Sequence, residues 1–93
     1  MPERKKIEET ILRIVSEQYN SLTGNAEARI ITLYTDIRKD LGFDSIMLVV
    51  LQIGIEDAFH IRFDPVKNDL KDVFTTIQNI SDCVQGIIRD EEV

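Results

Sequence analysis

The chain has 93 residues, of which 43% are hydrophobic and 30% charged, a composition that fits one folded domain over residues 1–93 and excludes a disordered tail. Its single cysteine excludes an intramolecular disulfide and a cysteine-cluster zinc site. Acidic residues outnumber basic ones 17 to 11, for a net charge of −6. Repulsion from phosphates therefore argues against nucleic acid as a partner.

The sequence also gives expectations about location. The charged start is not followed by an uninterrupted apolar targeting segment. The longest apolar run, Ile46 to Ile55, is about half the length that a membrane span needs. We therefore expect a cytoplasmic protein without a membrane span.

The first predicted element is an amphipathic helix from about Glu3 to Tyr19. Asn20, Ser21 and Gly24 are expected to end it. Its apolar residues recur at helical spacing with charged residues between them, and they are Ile7, Ile11, Ile14, Val15 and Tyr19.

Residues 20–43 have no long periodic pattern but are too apolar for a free linker. The segment from Ala28 to Tyr34 has strand character, yet the sequence offers no partner strand, and a lone strand cannot complete its hydrogen bonds. We predict a long loop held to the core by apolar side chains, and long loops of this kind are often functional. These side chains are Ile30, Ile31, Leu33, Tyr34, Ile37, Leu41 and Phe43.

Three further helices are predicted. The second begins near Asp44-Ser45 and runs to about His60. The third is short, with Pro65 in its first turn and Val66 and Leu70 in one or two turns. The fourth begins near Thr75, where Thr75 and Gln78 form a capping-box pattern, and its core stripe is Ile77, Ile80, Val84, Ile87 and Ile88. The fold class is therefore all-α, a four-helix bundle with three longer helices, a short third helix and a long loop between helices one and two.

The second helix is apolar on two opposite sides over its first half. At about 100° per residue, one side carries Leu48, Leu51, Ile55 and Phe59, and the other carries Ile46, Val50, Ile53 and Asp57, with Val49 beside them. One side can face the bundle. The other is either covered by the long loop or exposed as a docking surface for other proteins. Met47 fits such a surface, or it fills a gap in the core.

The run Asp40-Leu41-Gly42-Phe43-Asp44-Ser45-Ile46 precedes this helix. Gly42 allows a turn, Asp44 can cap the helix, and the Ser45 hydroxyl then lies at the helix N-terminus. The run resembles the phosphopantetheine attachment motif of acyl carrier proteins, Asp-Leu-Gly-x-Asp-Ser-Leu, with Ile at the last position. The order of the predicted helices also resembles that of the family. The stretch from Ile55 to Phe59 is similar to the end of the family's second helix, and Thr75 to Gln78 is similar to the start of its fourth.

The resemblance implies a non-catalytic carrier, expected to be a monomer. Ser45 would carry a phosphopantetheine arm, transferred from coenzyme A by a phosphopantetheinyl transferase, with Asp44 beside it in the cofactor site. The arm would hold acyl groups as thioesters for acyl-loading and acyl-processing enzymes of fatty acid, modified lipid or polyketide biosynthesis. The resemblance places an acyl pocket at Leu48, Leu51, Ile55, Phe63 and Phe74. The candidates for partner docking are Ile46, Met47, Val49, Val50, Ile53 and Asp57.

No catalytic or metal site is predicted. His60 is interpreted as a helix-end residue, and Cys83 as a half-buried small side chain without an activating base. Asp36, Asp40 and Asp44 recur every four residues, but the alternating oxygen ligands and the glycine of a calcium loop are missing. We interpret these acids as solvated or capping residues.

The chain departs from carriers of primary fatty acid synthesis just after the serine. Acids that are typical at the positions of Met47 and Val50 are absent, so electrostatic steering is weakened and apolar contact is strengthened. This favours a specialised carrier with a narrower set of partners. Two alternatives stay open: an aminoacyl or peptidyl carrier, and a helical adaptor that binds a partner without a prosthetic group.

Overall fold

The computed structural model describes residues 3–24, 30–64, 66 and 69–91. Its helices are α1 (Arg4–Thr23), α2 (Ser45–Phe59), α3 (Leu70–Val73) and α4 (Ile77–Glu91). Over the described ranges there is no strand, although Asp36 and Thr76 form an isolated antiparallel bridge. The predicted all-α bundle with a short third helix is confirmed. None of the helices in these ranges is both long and apolar enough to cross a membrane.

The core lies where α1 packs against α2 and α4, while α3 contacts α4. Burial follows the predicted 3.6-residue periodicity closely, because each of the three longer helices turns one apolar stripe inward. Two members of the predicted stripes, Ile14 and Ile87, are only half-buried. The buried helical residues are Ile7, Ile11, Val15, Tyr19, Leu51, Ile55, Ile77, Ile80, Ser81, Val84 and Ile88.

Two helix ends differ from the prediction. Helix α1 continues through Asn20 and Ser21 to Thr23 and stops at Gly24, which has a left-handed φ of 64° and donates its N–H to the Asn20 carbonyl. A left-handed glycine is a stronger stop than polar residues, which a helix surface tolerates. Helix α3 begins only at Leu70, and Val66 lies in an exposed turn before it. Pro65 lies outside the described residues.

The capping box predicted for Thr75 and Gln78 is wrong. Thr76, not Thr75, caps α4, because its Oγ1 accepts the Asn79 backbone N–H at 3.1 Å. The Gln78 N–H instead donates to the Leu33 carbonyl in the long loop, at 3.0 Å. Two adjacent threonines offer alternative caps, and the loop contact decides between them.

The long loop is held to the bundle as predicted, but not by all of the expected side chains. Five of them are buried or packed against the core, namely Ile31, Leu33, Ile37, Leu41 and Phe43. Ile30 and Tyr34 are 87% and 75% exposed, so the prediction for these two is wrong. Residues 30–34 form no strand, and residues 28–29 lie outside the described ranges.

Backbone and side-chain hydrogen bonds add to this apolar anchoring. The Ile37 N–H donates to the Thr75 carbonyl at 2.9 Å, and the Phe43 N–H donates to the Ile37 carbonyl at 3.0 Å. The Arg38 guanidinium donates to the Lys71 carbonyl at 2.7 Å. The segment that leads into α2 is therefore fastened to the α3–α4 end of the bundle.

We predict that Ile37→Ala destabilises the protein by about 2–5 kcal/mol, because a fully buried isoleucine is lost and a cavity is left behind. Ile30→Ala is the matched control and should change the unfolding free energy by less than about 0.5 kcal/mol, since Ile30 is exposed. Urea denaturation followed by circular dichroism measures both. Equal effects of the two substitutions would contradict the anchoring role of Ile37.

Candidate functional site

A tight turn carries the chain into α2. The Asp36 carboxylate accepts the N–H groups of Arg38 and Lys39, each at 2.9 Å, and the Asp40 carboxylate accepts the Asp36 N–H at 2.9 Å. Gly42 follows with φ 74°, a left-handed conformation that glycine adopts without steric penalty. The prediction that Asp36 and Asp40 are capping or solvated acids is confirmed.

Ser45 is the first residue of α2, and its side chain is exposed. Asp44 is the N-cap, as predicted: its backbone is extended and its Oδ1 accepts the Met47 N–H at 2.9 Å. Among the residues that the structure describes, none forms a hydrogen bond with the Ser45 hydroxyl. The Ser45 side chain is therefore open to solvent.

The start of α2 favours a negatively charged group. The first N–H groups of a helix have no partner within it, and the Asp44 carboxylate takes the N–H of Met47. The N–H groups of Ser45 and Ile46 are left without a carbonyl of their own helix. A phosphate ester on Ser45 would be stabilised there by about 0.3–1 kcal/mol through the helix dipole.

The two apolar sides of α2 have different surroundings. Leu51 and Ile55 are buried, and Leu48 and Phe59 are half-buried against the core. The opposite side is uncovered by the described part of the loop, so the structure favours exposure over the alternative of coverage by the loop. The exposed fractions are 76% for Ile46, 49% for Val49, 53% for Val50 and 53% for Ile53, and Asp57 is exposed with them.

The residues expected to line an acyl pocket belong to the hydrophobic core. Phe63 and Phe74 are buried and pack edge to face, with ring centroids 5.5 Å apart and planes at 88°. Leu51 and Ile55 are fully buried, and Leu48 is half-buried. A chain could enter among these side chains only if the core opened, because the set is packed as ordinary protein interior.

An open groove between α1 and α2 was not predicted from the sequence. Its volume is about 480 Å³. The amide of Gln18 donates to the Met47 carbonyl at 2.8 Å and ties the two helices together beside it. A signal that could have revealed it is Gly54, a glycine inside the helix and four residues after Val50. The residues that line this α1–α2 groove are Ile14, Glu17, Gln18, Ser21, Ile46, Met47, Val50 and Gly54.

The far end of α2 is closed by His60, which the sequence indicated as a helix-end residue. His60 is the C-cap, with φ 55°, and its N–H donates to the Glu56 carbonyl. The Glu56 carboxylate accepts the Phe63 N–H at 2.9 Å and fixes the chain after the helix. These contacts give both residues structural roles.

Cys83 is half-buried beside the core stripe of α4, as predicted. Burial disfavours the thiolate and raises the pKa of the Cys83 thiol. A raised pKa lowers the reactivity of a thiol at neutral pH. Over the described ranges, no group of three or more histidine, cysteine, aspartate or glutamate side chains is placed to hold a metal ion.

Comparison with known proteins identifies a family to which the chain is similar. A family model described as the phosphopantetheine attachment site matches residues 9–84, more than half of the chain. The matched range contains all of α2 and the turn before it. It also contains most of α1 and the first half of α4. Domains of this family bind covalently attached phosphopantetheine. No curated protein matches the chain significantly.

We predict that Asp44→Ala lowers the unfolding free energy by about 1 kcal/mol, because the Met47 N–H loses its capping acceptor. Asp44→Asn should retain most of the stability, since asparagine caps almost as well. Thermal unfolding of the three proteins measures the difference. Equal stability of the alanine and wild-type proteins would show that the cap contributes nothing.

We also predict that iodoacetamide alkylates Cys83 slowly at pH 7. The raised pKa keeps the thiol protonated at neutral pH. The alkylation rate should therefore continue to increase with pH above about pH 8.5, where an ordinary cysteine is half-ionised. Intact mass recorded over time from pH 7 to pH 10 gives the rates, with Cys83→Ser as the unlabelled control. A rate that levels off below that pH would contradict the assigned shift.

Proposed function

Because the chain belongs to the phosphopantetheine attachment site family, we propose that it is an acyl carrier protein domain whose attachment residue is Ser45. The observation that carries this proposal is the exposed Ser45 hydroxyl on the first residue of α2, directly after the Asp44 cap. The surroundings fit the group, because a phosphodiester on this oxygen would lie beside free N–H groups at a helix N-terminus. We assign residues 1–93 to one carrier domain.

Attachment requires a separate phosphopantetheinyl transferase. The Ser45 oxygen forms a new bond to the phosphorus next to the pantetheine of coenzyme A. The bond from that phosphorus to the rest of the pyrophosphate breaks, the adenosine bisphosphate part leaves, and the serine proton is released. In this proposal Asp44 fixes the start of α2, so that the oxygen is presented at a defined place on a rigid helix.

The attached group supplies a terminal thiol on which an acyl cargo is held as a thioester. The chain's own contribution is to tether and present that cargo, because a short flexible tether raises the effective concentration of the cargo at a docked enzyme. The nucleophiles, acids and bases of the reactions would belong to acyl-loading and acyl-processing enzymes, and the carrier itself would be non-catalytic.

We propose that partner enzymes dock on the exposed side of α2 next to Ser45. The surface consists of Ile46, Met47, Val49, Val50, Ile53 and Asp57, and its first half carries no charge. Apolar contact would therefore contribute more to docking than charge steering, which salt screens. This supports a specialised carrier, for polyketide or modified-lipid synthesis, over one that serves many enzymes through an acidic helix.

We propose that the residues expected to line an acyl pocket, all of them in or against the core, surround a cavity that opens there for longer acyl chains. Leu48, Leu51 and Ile55 share one face of α2, and the Phe63 and Phe74 rings would have to separate for a chain to enter. The energy of separating packed side chains would be offset by burying the apolar cargo.

Two other functions are considered, and loading of Ser45 with phosphopantetheine distinguishes a carrier only from the second of them. An aminoacyl or peptidyl carrier would use the same serine and arm and differ only in the loading enzyme. A helical adaptor without a prosthetic group is favoured by one observation, the exposed apolar side of α2. The adaptor would not require the Ser45 hydroxyl.

We predict that incubation with coenzyme A and a broad-specificity transferase increases the intact mass by one phosphopantetheine. Ser45→Ala should gain nothing, because the accepting oxygen is removed, and Ser81→Ala should be modified like wild type, since Ser81 is buried. Tandem mass spectrometry locates the added group. A wild-type protein that stays unmodified would favour the adaptor instead.

We further predict that Met47→Glu together with Val50→Glu lowers kcat/KM for transfer by the cognate enzyme about tenfold, equal to about 1.4 kcal/mol. The reason is that two carboxylates would enter an apolar contact. Val66→Glu is the control, an exposed valine outside α2. Unchanged kinetics for the double variant would exclude an apolar docking surface at these positions.

A further inference from the structure

The α1–α2 groove begins at the residue after the proposed attachment site. Ile46 lies at one end and Gly54 at the other, so the groove follows α2 for about 12 Å at 1.5 Å per residue. Its α2 wall, formed by Ile46, Met47 and Val50, is apolar, and Ile14 contributes an apolar side chain from α1. It is therefore an open apolar site of about 480 Å³ beside Ser45.

Gly54 lines this groove opposite Ile14 of α1 and adds no side chain to it. Glycine inside a helix is less stabilising than alanine, and Gly54 does not have the left-handed φ that would require it. A Cβ built on Gly54 would lie 3.5 Å from the Ile14 Cγ2, an ordinary van der Waals distance. Close packing of α1 against α2 thus does not require a glycine here. The added methyl group would instead occupy groove space next to Ile14.

We propose that the α1–α2 groove binds the acyl chain that is tethered through Ser45. This inference rests on the proposed carrier function and adds a binding site on the surface between α1 and α2. The ligand class is a short or medium-length saturated acyl group, whose alkyl chain has no polar atoms to satisfy. Glu17 and Ser21 on α1 form a polar rim that stays in contact with water.

The tether selects the acyl chain as the occupant. Ser45 directly precedes Ile46, which lines the groove, so a group attached to Ser45 begins next to the groove. The extended arm is longer than the groove and can place the thioester at either end of it. Intramolecular binding gives a high effective concentration, so modest apolar burial suffices. The fully buried Leu51, Ile55 and Phe74 would have to move before a chain could enter the core, whereas the groove is already open.

The test is a comparison of the protein with an unacylated arm and the protein with an octanoyl arm, transferred from octanoyl-coenzyme A. Methyl and amide NMR should show nuclear Overhauser contacts from the octanoyl chain to Ile14 and Val50, and a chemical-shift change at Gly54. Contacts to Leu51, Ile55 and Phe74 instead would place the chain in the core and overturn the inference.

Gly54→Ala is the decisive variant and Gly86→Ala its matched control. Both replace a glycine inside a helix, but a Cβ at Gly86 meets no atom within 4 Å, and Gly86 lies on α4 away from the groove. Both substitutions should raise Tm through helix propensity. Only Gly54→Ala should lose most of the octanoyl contacts and most of the increase in Tm that octanoylation gives. If both variants kept the octanoyl contacts and the increase in Tm equally, the inference would be overturned.

A second pair tests the groove wall without changing a glycine. Val49 and Val50 are similarly exposed neighbours, but only Val50 lines the groove. Val50→Glu should abolish the octanoyl contacts to Ile14, while Val49→Glu should preserve them. Loss in both variants, or in neither, would contradict a groove that uses Val50.

The outcomes separate the inference from the function on which it depends. If Ser45 accepts no group, the carrier proposal fails. If Ser45 is loaded but the groove shows no octanoyl contacts, only the inference fails, and the groove is left for a partner enzyme. Shift changes that grow with protein concentration would assign the groove to a second copy of the chain and would also overturn the inference.

Discussion

The change from buried Phe43 to exposed Ser45 across two residues is the constraint on which the candidate site depends. Gly42, at φ 74°, turns the chain so that Phe43 enters the core. The Asp44 carboxylate then fixes the first turn of α2 through the Met47 N–H. A hydroxyl on a flexible loop would not be held at a fixed position relative to α2.

This anchoring continues into the rest of the bundle. Ile37 is fully buried, and its backbone bonds both to Thr75 before α4 and to Phe43 before α2. The long loop is therefore a structural connection between the start of α2 and the start of α4. Its described part leaves the outer side of α2 uncovered, so anchoring the loop and exposing that side are compatible.

Helix α2 combines two roles that usually belong to different helices. Leu51 and Ile55 hold it in the core, while Ile46 and Val50 remain in solvent. Exposed apolar patches favour association, and the net charge of −6 opposes self-association through repulsion between copies. Residues of α1 form one wall of the α1–α2 groove, a space that α2 alone could not enclose.

The sequence by itself determined the order of the helices, the Asp44 cap, the place of Ser45 at the start of α2 and the two apolar sides of α2, because periodicity and capping chemistry depend on residues close together in the chain. It did not determine that Thr76 rather than Thr75 caps α4, since Leu33, far away in the chain, takes the Gln78 N–H. Nor did it show that Ile30 and Tyr34 face solvent. The α1–α2 groove was decided only by tertiary structure. Periodicity assigns a residue to a face, but the space between two helices depends on how both surfaces meet, here the Ile14 side chain of α1 and the bare backbone of α2 at Gly54.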